Sequence, residues 1–174
     1  MESFPQKFKK KVMVPSGKGL SRGAFILLEG VDRCGKTTQC NLLLQHLLAL
    51  GIAAVALRFP DRTTLIGNLI NGYLQQARDM DDRAIHLLFS ANRWEASASL
   101  SQTLANGITI VCDRYAYSGV AFSSAKQFGE NDKENLSLNW CKRYRIYCFF
   151  KNIMFSYNTY LSSIVAIEVF QPQT

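Results

Sequence analysis

Residues 24–37 of the chain read AFILLEGVDRCGKT, and this stretch decides the fold. The apolar run from Ala24 to Leu28 has the length and composition of a buried strand. Residues 30–37 match the pattern G-x-x-x-x-G-K-[ST], a glycine-rich loop that joins such a strand to a helix. The backbone N–H groups of a loop of this kind, together with the N-terminus of the helix that follows, bind phosphate oxygens. The sequence therefore predicts a phosphate-binding loop.

The residue types inside this loop predict individual roles. We expect Lys36 to bridge the β- and γ-phosphates of a nucleotide and the Thr37 hydroxyl to hold Mg²⁺. Arg33 is placed to neutralise charge on a transferred phosphoryl group, as an arginine finger does, with a solvated surface arginine as the alternative. Asp32 is an acid beside a polyanion and is expected to serve a ligand hydroxyl or a nearby cation. The predicted cofactor-binding residues are Gly30, Val31, Asp32, Arg33, Cys34, Gly35, Lys36, Thr37 and Thr38.

Helix and strand patterns alternate after the loop. A helical pattern over residues 37–49 is followed by Gly51, which predicts a left-handed C-cap. A second apolar run covers residues 53–57, three helical stretches cover about 64–76, 82–94 and 95–106, and a third apolar run covers 108–112. This alternation predicts an α/β fold with a doubly wound parallel sheet, in which ligands bind at the carboxyl ends of the strands. Asp113 follows the third strand and is expected to reach the Mg²⁺ shell or orient the catalytic lysine, with a helix cap as the alternative.

Composition and charge limit the classes of function. The chain has 174 residues, of which 48% are hydrophobic, so we expect one folded domain with a buried core. The formal net charge of +7 is concentrated at the ends, since residues 1–22 carry +5 and residues 142–174 carry +3, leaving −1 for residues 23–141. A slightly acidic body with basic ends argues against a nucleic-acid-binding face.

The cysteines indicate the cellular compartment. Their number is odd and their spacing contains no Cys-x-x-Cys pair, which argues against a disulfide scaffold or a zinc site. We expect free thiols in a reducing compartment, the cytoplasm, with the nucleus and the mitochondrion as alternatives. Residues 1–22 are interpreted as a basic flexible extension, with a mitochondrial presequence as the alternative. The five are Cys34, Cys40, Cys112, Cys141 and Cys148.

Three further motifs carry a resemblance to a known family. They are RFPDR at residues 58–62, FSANRWE at residues 89–95 and DRYAYSGVAF at residues 113–122. With the phosphate loop, in this order and spacing, they make residues 23–142 similar to the eukaryotic thymidylate kinases. The resemblance implies a P-loop nucleoside monophosphate kinase-like fold, a parallel sheet with flanking helices. It also implies transfer of a phosphoryl group from ATP to dTMP with Mg²⁺, and a homodimer formed through the helices between the second and third strands.

Base recognition is expected on one helix. Phe89 and Arg93 are four residues apart, so they share a helix face where a ring stacks on a base and a guanidinium bonds its carbonyl edge. From spacing alone, an amphipathic helix with a core Phe and an exposed Arg remains an alternative. The resemblance makes the base thymine.

The remaining acceptor contacts rest on the resemblance together with residue chemistry. Arg62 and Arg114 offer planar guanidinium groups to the acceptor phosphate. Phe59 is expected to pack on the sugar or base, and Tyr115 to act as a deoxyribose filter. By the same likeness Asp32 meets the sugar 3′-hydroxyl. The expected catalytic residues are Arg33, Lys36 and Asp113, and those for the metal are Thr37 and Asp113.

The likeness ends near Lys142. We divide the chain into residues 1–22, a kinase core at 23–142 and a divergent tail at 143–174, which we interpret as an alternatively spliced or intron-derived terminus. The family's lid and its fourth and fifth strands are expected to be missing or replaced. Residues 146–150 and 164–170 have strand-like composition, and we expect one or both to cover the edge left on the first strand. Polar residues interrupt every potential membrane span in the tail, so we expect no membrane anchor.

Three functions stay open at this point. The first is a dTMP kinase. The second is a catalytically weak or inactive form that binds nucleotide or pairs with full-length subunits, since loss of a lid weakens water exclusion. The third is a kinase for another nucleotide or nucleoside, with a different base pocket around Phe89 and Arg93.

Overall fold

The structure is a computed structural model that describes residues 22–125, 139–141 and 167–170. From β1 to β3 the elements follow the predicted alternation, and their bounds agree with the sequence-based ranges to within about two residues; the helix after β3 was not predicted. In chain order they are β1 (Phe25–Leu28), α1 (Lys36–Ala49), β2 (Ala54–Arg58), α2 (Leu65–Leu74), α3 (Asp82–Glu95), α4 (Ser97–Ala105), β3 (Thr109–Asp113), α5 (Ala116–Ser124) and β4 (Ile167–Phe170).

The strands form one sheet in the order β2-β3-β1-β4. β1 pairs in parallel with β3, which pairs in parallel with β2. Ile26 lies opposite Val111, and Val111 opposite Ala56. These three parallel strands confirm the predicted α/β sheet and bring the ends of β1, β2 and β3 to one edge.

The fourth strand comes from the tail. β4 pairs with β1 on the side away from β3, and it runs antiparallel, with Phe25 opposite Phe170 and Leu28 opposite Ile167. The expectation that the tail covers the β1 edge is confirmed for residues 167–170. The other predicted tail strand, residues 146–150, lies outside the described residues, as does the extension at residues 1–21.

The chain divides into two compact units, and all four strands belong to the first. Of the described residues, this first unit contains 22–58, 98–114 and 167–170. One face of its sheet packs on α1 through a cluster of Ile26, Leu28, Cys40 and Val111, with Leu43 and Leu47 against it.

Burial on both faces explains why β1 is apolar throughout and why β3 is apolar from Ile110 to Cys112. Phe25, Leu27 and Ile110 are buried as completely as the residues that alternate with them. The apolar face of α1 is narrow, because Leu43 and Leu47 pack on the sheet whereas the neighbouring Leu42 and Leu48 are exposed.

The second unit is helical. Its described residues are 59–97, 115–125 and 139–141, in which α3 contacts both α2 and α5. Val120 and Cys141 are buried together, with Trp140 against them. His86 lies in this unit with its Nδ1 atom 2.7 Å from Ser123 Oγ. No helix within residues 22–125 is both long enough and apolar enough to cross a membrane.

Candidate active site

The phosphate loop leaves β1 and enters α1 through three left-handed backbone positions. The φ angle is +148° at Gly30, +61° at Arg33 and +87° at Gly35. Gly35 is the N-cap of α1, and no side chain caps that end. A glycine N-cap of this kind leaves the N–H groups of the first helical turn open to an anion.

Lys36 is folded over the loop that precedes it. Its side chain is buried, and Nζ donates to the Val31 carbonyl and lies 3.5 Å from Cys34 Sγ. The side chain of Arg33 is exposed. A buried ammonium held against a glycine-rich loop is a fixed positive charge where a phosphate would sit.

Thr37 and Asp113 meet across the ends of α1 and β3. Thr37 Oγ1 donates to Asp113 Oδ2 at 2.6 Å, and Arg58 Nε lies 3.6 Å from the same oxygen. Asp113 is buried, and its other oxygen, Oδ1, has no hydrogen-bond partner among the described residues. A buried carboxylate oxygen without a donor is costly, and a cation or a water would satisfy it.

This pair fits a small divalent cation. A threonine hydroxyl and one carboxylate are the oxygen ligands that Mg²⁺ takes from a protein, its other positions being filled by phosphates and water. Among the described residues there is no cluster of three or more His, Cys, Asp and Glu side chains with metal-binding geometry. The Thr37 hydroxyl and the Asp113 carboxylate fit a Mg²⁺ ion whose other ligands are phosphates and water.

Asp32 and Arg114 form an ion pair that the sequence did not predict. Arg114 NH2 lies 2.5 Å from Asp32 Oδ1, with the arginine side chain 10% exposed and the aspartate 75% exposed. The Arg114 backbone N–H donates to the Leu28 carbonyl at 3.0 Å, which fixes its position at the sheet edge. Its φ of +68° is strained for a residue with a side chain, and such strain is typical of functional sites.

Burial raises the pKa of two cysteines in the first unit. Burial, reinforced by Asp113, raises the pKa of the Cys40 thiol to about 12. Burial also raises the pKa of Cys112 well above its usual value, with Glu29 adding to the effect. Both thiols therefore stay protonated at neutral pH and are inert. Cys34, Cys40, Cys112 and Cys141 are free, and Cys148 lies outside the described residues.

Three residues predicted to bind the base and sugar contact one another in the second unit. The rings of Phe59 and Tyr115 meet edge to face with centroids 5.1 Å apart, and both residues are buried. The guanidinium carbon of Arg93 lies 5.8 Å from the Tyr115 ring centroid. Gly119 leaves room for this arginine, because a Cβ there would lie 3.3 Å from Arg93 NH1. Three of the predicted acceptor residues are thus brought together.

Phe89 and Arg62 are the other predicted acceptor residues of this unit. Phe89 is half-buried on α3, one turn before Arg93. Arg62 is exposed, and its NH1 donates to Asn71 Oδ1 at 3.1 Å.

Two residues of the motifs were given no role by the sequence. Arg58 reaches Asp113 in the first unit. Asn92 is buried and forms hydrogen bonds to the backbone of Asp61, the residue before Arg62. Both belong to motifs that the sequence singled out, but their partners lie about 30 or more positions away and only the folded chain identifies them.

Comparison with known proteins agrees with this geometry. The family model described as thymidylate kinase matches residues 28–146. Human thymidylate kinase is 53% identical over 122 residues, covering 70% of this chain and 54% of the relative. The relative from Dictyostelium discoideum is 54% identical over 123 residues, covering 70% and 52%. The chain spans about half the length of the curated relatives it matches.

Solved structures give the same result. A thymidylate kinase from Candida albicans superposes with a TM-score of 0.63 at 39% identity, covering 71% of this chain and 57% of that one. The thymidylate kinase from Ehrlichia chaffeensis gives a TM-score of 0.55 at 27% identity, covering 72% and 67%.

Proposed function

Since the chain belongs to the thymidylate kinase family, we propose that residues 23–142 form a kinase core that transfers the γ-phosphoryl group of ATP to dTMP, giving ADP and dTDP. The observation that carries the proposal is the Thr37–Asp113 pair beside the phosphate loop, with the buried Asp113 Oδ1 left for a cation. A hydroxyl and a carboxylate at the end of a phosphate loop are what a magnesium-nucleotide needs.

The donor side of the reaction is assigned to the first unit. Lys36 and the open N–H groups of α1 hold the phosphates of ATP, and Arg33 neutralises charge that grows on the transferred group. Thr37 and Asp113 would hold Mg²⁺. An ion held there would supply positive charge that neutralises the phosphates of the nucleotide.

The acceptor side is assigned to the remaining site residues. Arg93 donates to the carbonyl edge of thymine, Phe89 stacks on the base and Phe59 packs on the nucleoside. Tyr115 occupies the space that a 2′-hydroxyl would need. Asp32 accepts a hydrogen bond from the sugar 3′-hydroxyl.

The acceptor phosphate is assigned to Arg62 and Arg114, which offer planar donors to its oxygens. One of these oxygens attacks the γ-phosphorus while the bond to the β–γ bridging oxygen breaks, and ADP leaves with the electron pair. No strong general base is required, because the attacking phosphate is already anionic near neutral pH. Catalysis then consists of positioning and charge neutralisation.

The experiment is a coupled assay of ADP release by the purified chain with dTMP as acceptor. We expect dTMP-dependent turnover that falls at least about 100-fold in Lys36→Ala. Arg78→Ala, which removes an exposed cation after α2, is the matched control and should keep the activity. Turnover that is equal in Lys36→Ala and the intact chain would overturn the proposal.

An acceptor panel distinguishes a kinase of different specificity. The Candida albicans relative is described as having broad substrate specificity, so other nucleoside monophosphates belong beside dTMP. A panel maximum at another base would assign the same chemistry to that base. Binding of dTMP without any turnover would support the second candidate, a nucleotide-binding chain that is inactive.

A homodimer through α2 and α3 is part of the proposal. Leu65 and Leu69 lie one turn apart on α2, and Leu87 and Trp94 lie two turns apart on α3; all four are exposed. Apolar residues exposed at helical spacing favour contact with another protein surface. Sedimentation of the chain at increasing concentration tests this, and a monomer at all concentrations would overturn it.

The free thiols support a reducing compartment, and we place the chain in the cytoplasm on that basis.

A further inference from the structure

We propose that Asn92 is a positioning residue for the acceptor phosphate and that it acts through residues 61–64, the segment that carries Arg62. This inference rests on the proposed function. Asn92 lies on α3 and is 1% exposed, so its amide is cut off from water. A buried amide must find its partners inside the protein or lose free energy. The partners of Asn92 therefore define what it does.

The amide of Asn92 binds both backbone groups of Asp61. Asn92 Oδ1 accepts from the Asp61 N–H at 2.8 Å, and Asn92 Nδ2 donates to the Asp61 carbonyl at 3.1 Å. A side-chain amide that engages the N–H and the C=O of one residue fixes both the distance and the orientation of that backbone. The residue that follows this fixed point is Arg62.

The far end of the segment is held by the same amide. Asn92 Nδ2 also lies 3.0 Å from Thr64 Oγ1 and 3.0 Å from Glu95 Oε2. The Thr64 hydroxyl in turn donates to Glu95 at 2.8 Å and accepts from the Gly67 N–H at 2.9 Å, which caps α2. Asn92 thus holds the residues on both sides of Arg62.

Internal contacts leave this segment little freedom. Asp61 Oδ1 accepts from the Thr63 N–H at 2.9 Å and from its hydroxyl at 2.7 Å. The Asp61 carbonyl lies so close to Gly67 that a Cβ there would come within 1.7 Å of it. Asn71 accepts from Arg62 NH1 and orients the guanidinium group itself. Arg62 is therefore directed by Asn71 and carried by a backbone that Asn92 fixes.

The position of Asn92 in the sequence gives this contact its functional meaning. Asn92 directly precedes Arg93, which we assign to the base, and it lies three residues after Phe89. One helix then supports both the base contacts and the segment for the phosphate contact. By holding Asp61 and Thr64, Asn92 fixes the position of Arg62 relative to the helix that carries Phe89 and Arg93.

The test compares binding of dTMP with binding of thymidine, which lacks the phosphate, by calorimetry. We expect Asn92→Ala to weaken dTMP binding about 10-fold and to leave thymidine binding within about twofold. When Arg62→Ala is already present, adding Asn92→Ala should not weaken dTMP binding further, because the two residues act through one contact. Asn68→Ala, which removes an exposed amide from α2, is the matched control and should change neither affinity.

A second variant keeps the test informative where Asn92→Ala does not fold. Asn92→Asp retains the acceptor for the Asp61 N–H and the shape of the side chain but loses the Nδ2 donors. It should also weaken dTMP selectively. The inference would be overturned if either variant lost affinity equally for dTMP and thymidine. It would also be overturned if the loss of dTMP affinity in the double variant equalled the product of the losses in Asn92→Ala and Arg62→Ala.

The outcome for the proposed function is read separately. An intact chain that binds dTMP but shows no turnover overturns only the kinase activity and leaves the positioning role to be decided by the variants. An intact chain that binds neither dTMP nor thymidine overturns both proposals.

Discussion

Arg114 NH2 lies 2.5 Å from Asp32 Oδ1, and the two side chains form an ion pair between the end of β3 and the phosphate loop. The arginine side chain is almost fully buried, whereas most of the aspartate faces solvent. The same two residues are assigned to the acceptor, Arg114 to its phosphate and Asp32 to its 3′-hydroxyl. The pair therefore links two contacts that one ligand has to make.

Asp32→Asn should separate binding from stability. The Asp32 side of the ion pair is exposed, and an asparagine keeps an oxygen that can accept from Arg114, so we expect the free energy of unfolding to change by less than about 1 kcal/mol. A hydrogen bond from a ligand hydroxyl to a charged group contributes about 1.5–3 kcal/mol, which outweighs any gain from releasing Arg114. We expect the KM for dTMP to rise about 10-fold. Steady-state kinetics and urea denaturation measure the two effects, with Asp79→Asn as the exposed control. An unchanged KM contradicts the assignment.

Arg33→Gly should stabilise the chain while removing activity. Arg33 has a φ of +61°, which glycine adopts without the steric cost borne by a side chain. We expect the free energy of unfolding to rise by up to about 1 kcal/mol and kcat to fall about 1,000-fold. Gln76→Gly is the matched control, because Gln76 has a φ of +55° but no assigned role. It should gain similar stability and keep its kcat. Full activity in Arg33→Gly would exclude Arg33 from catalysis.

Alkaline pH should destabilise the chain through Cys40. The folded chain holds the pKa of this thiol near 12, against 9.0 without its surroundings. The unfolded chain therefore releases this proton first, and stability is full below about pH 9 and falls as the pH rises toward 12. Within that range, this thiol lowers the free energy of unfolding by about 1.4 kcal/mol for each pH unit.

Chemical denaturation between pH 8 and about 11 measures this dependence. Other groups titrate in the same range, so the slope is compared between the intact chain and Cys40→Ala, which should show a shallower decline. Ser99→Ala, which removes an exposed hydroxyl from α4 and no titrating group, should keep the original slope. A slope unchanged in Cys40→Ala contradicts the prediction.

Proline substitutions in β4 should test its register. The Ala24 carbonyl accepts from the Ile110 N–H in β3, and the Leu28 carbonyl accepts from the N–H of Arg114, the residue after β3. By alternation, Phe25 and Leu27 direct their backbone groups toward β4. Glu168 lies opposite Leu27, and Glu168→Pro should remove a ladder hydrogen bond and speed amide exchange at Leu27.

The control for this experiment is the neighbouring position. The N–H of Val169 points away from β1 by the same alternation, and Val169→Pro should leave exchange at Leu27 slow. Hydrogen exchange read by NMR distinguishes the two variants. Equal exchange in both would contradict the register.

Most of the correct predictions of the fold and the site came from residues that are close together in the sequence. The phosphate loop lies within eight consecutive residues, and the ends of parallel strands meet at one edge, so Thr37 and Asp113 could be placed together without a structure. Cover for the β1 edge was predicted from composition. Composition does not fix strand direction, and the antiparallel run of β4 appears only in the fold.

Long-range polar contacts could not be predicted. Asp32 and Arg114 are 82 positions apart, and their pairing depends on the fold of the loop and on a positive φ at Arg114. Asn92 belongs to a motif, but an amide has no charge or period that indicates its partners. Its role follows only from the position of Asp61.

The β4 pairing has a consequence for synthesis. Phe25 pairs with Phe170, 145 positions later in the chain, so loop closure over most of the sequence must precede this contact. Domains fold from the N-terminus as they are made, and β1, β2 and β3 can assemble before residues 167–170 leave the ribosome. During that interval β1 is an unpaired apolar edge that invites pairing with another chain. Slow translation of the tail should therefore lower the yield of folded protein, and chaperones that shield strand edges should restore it.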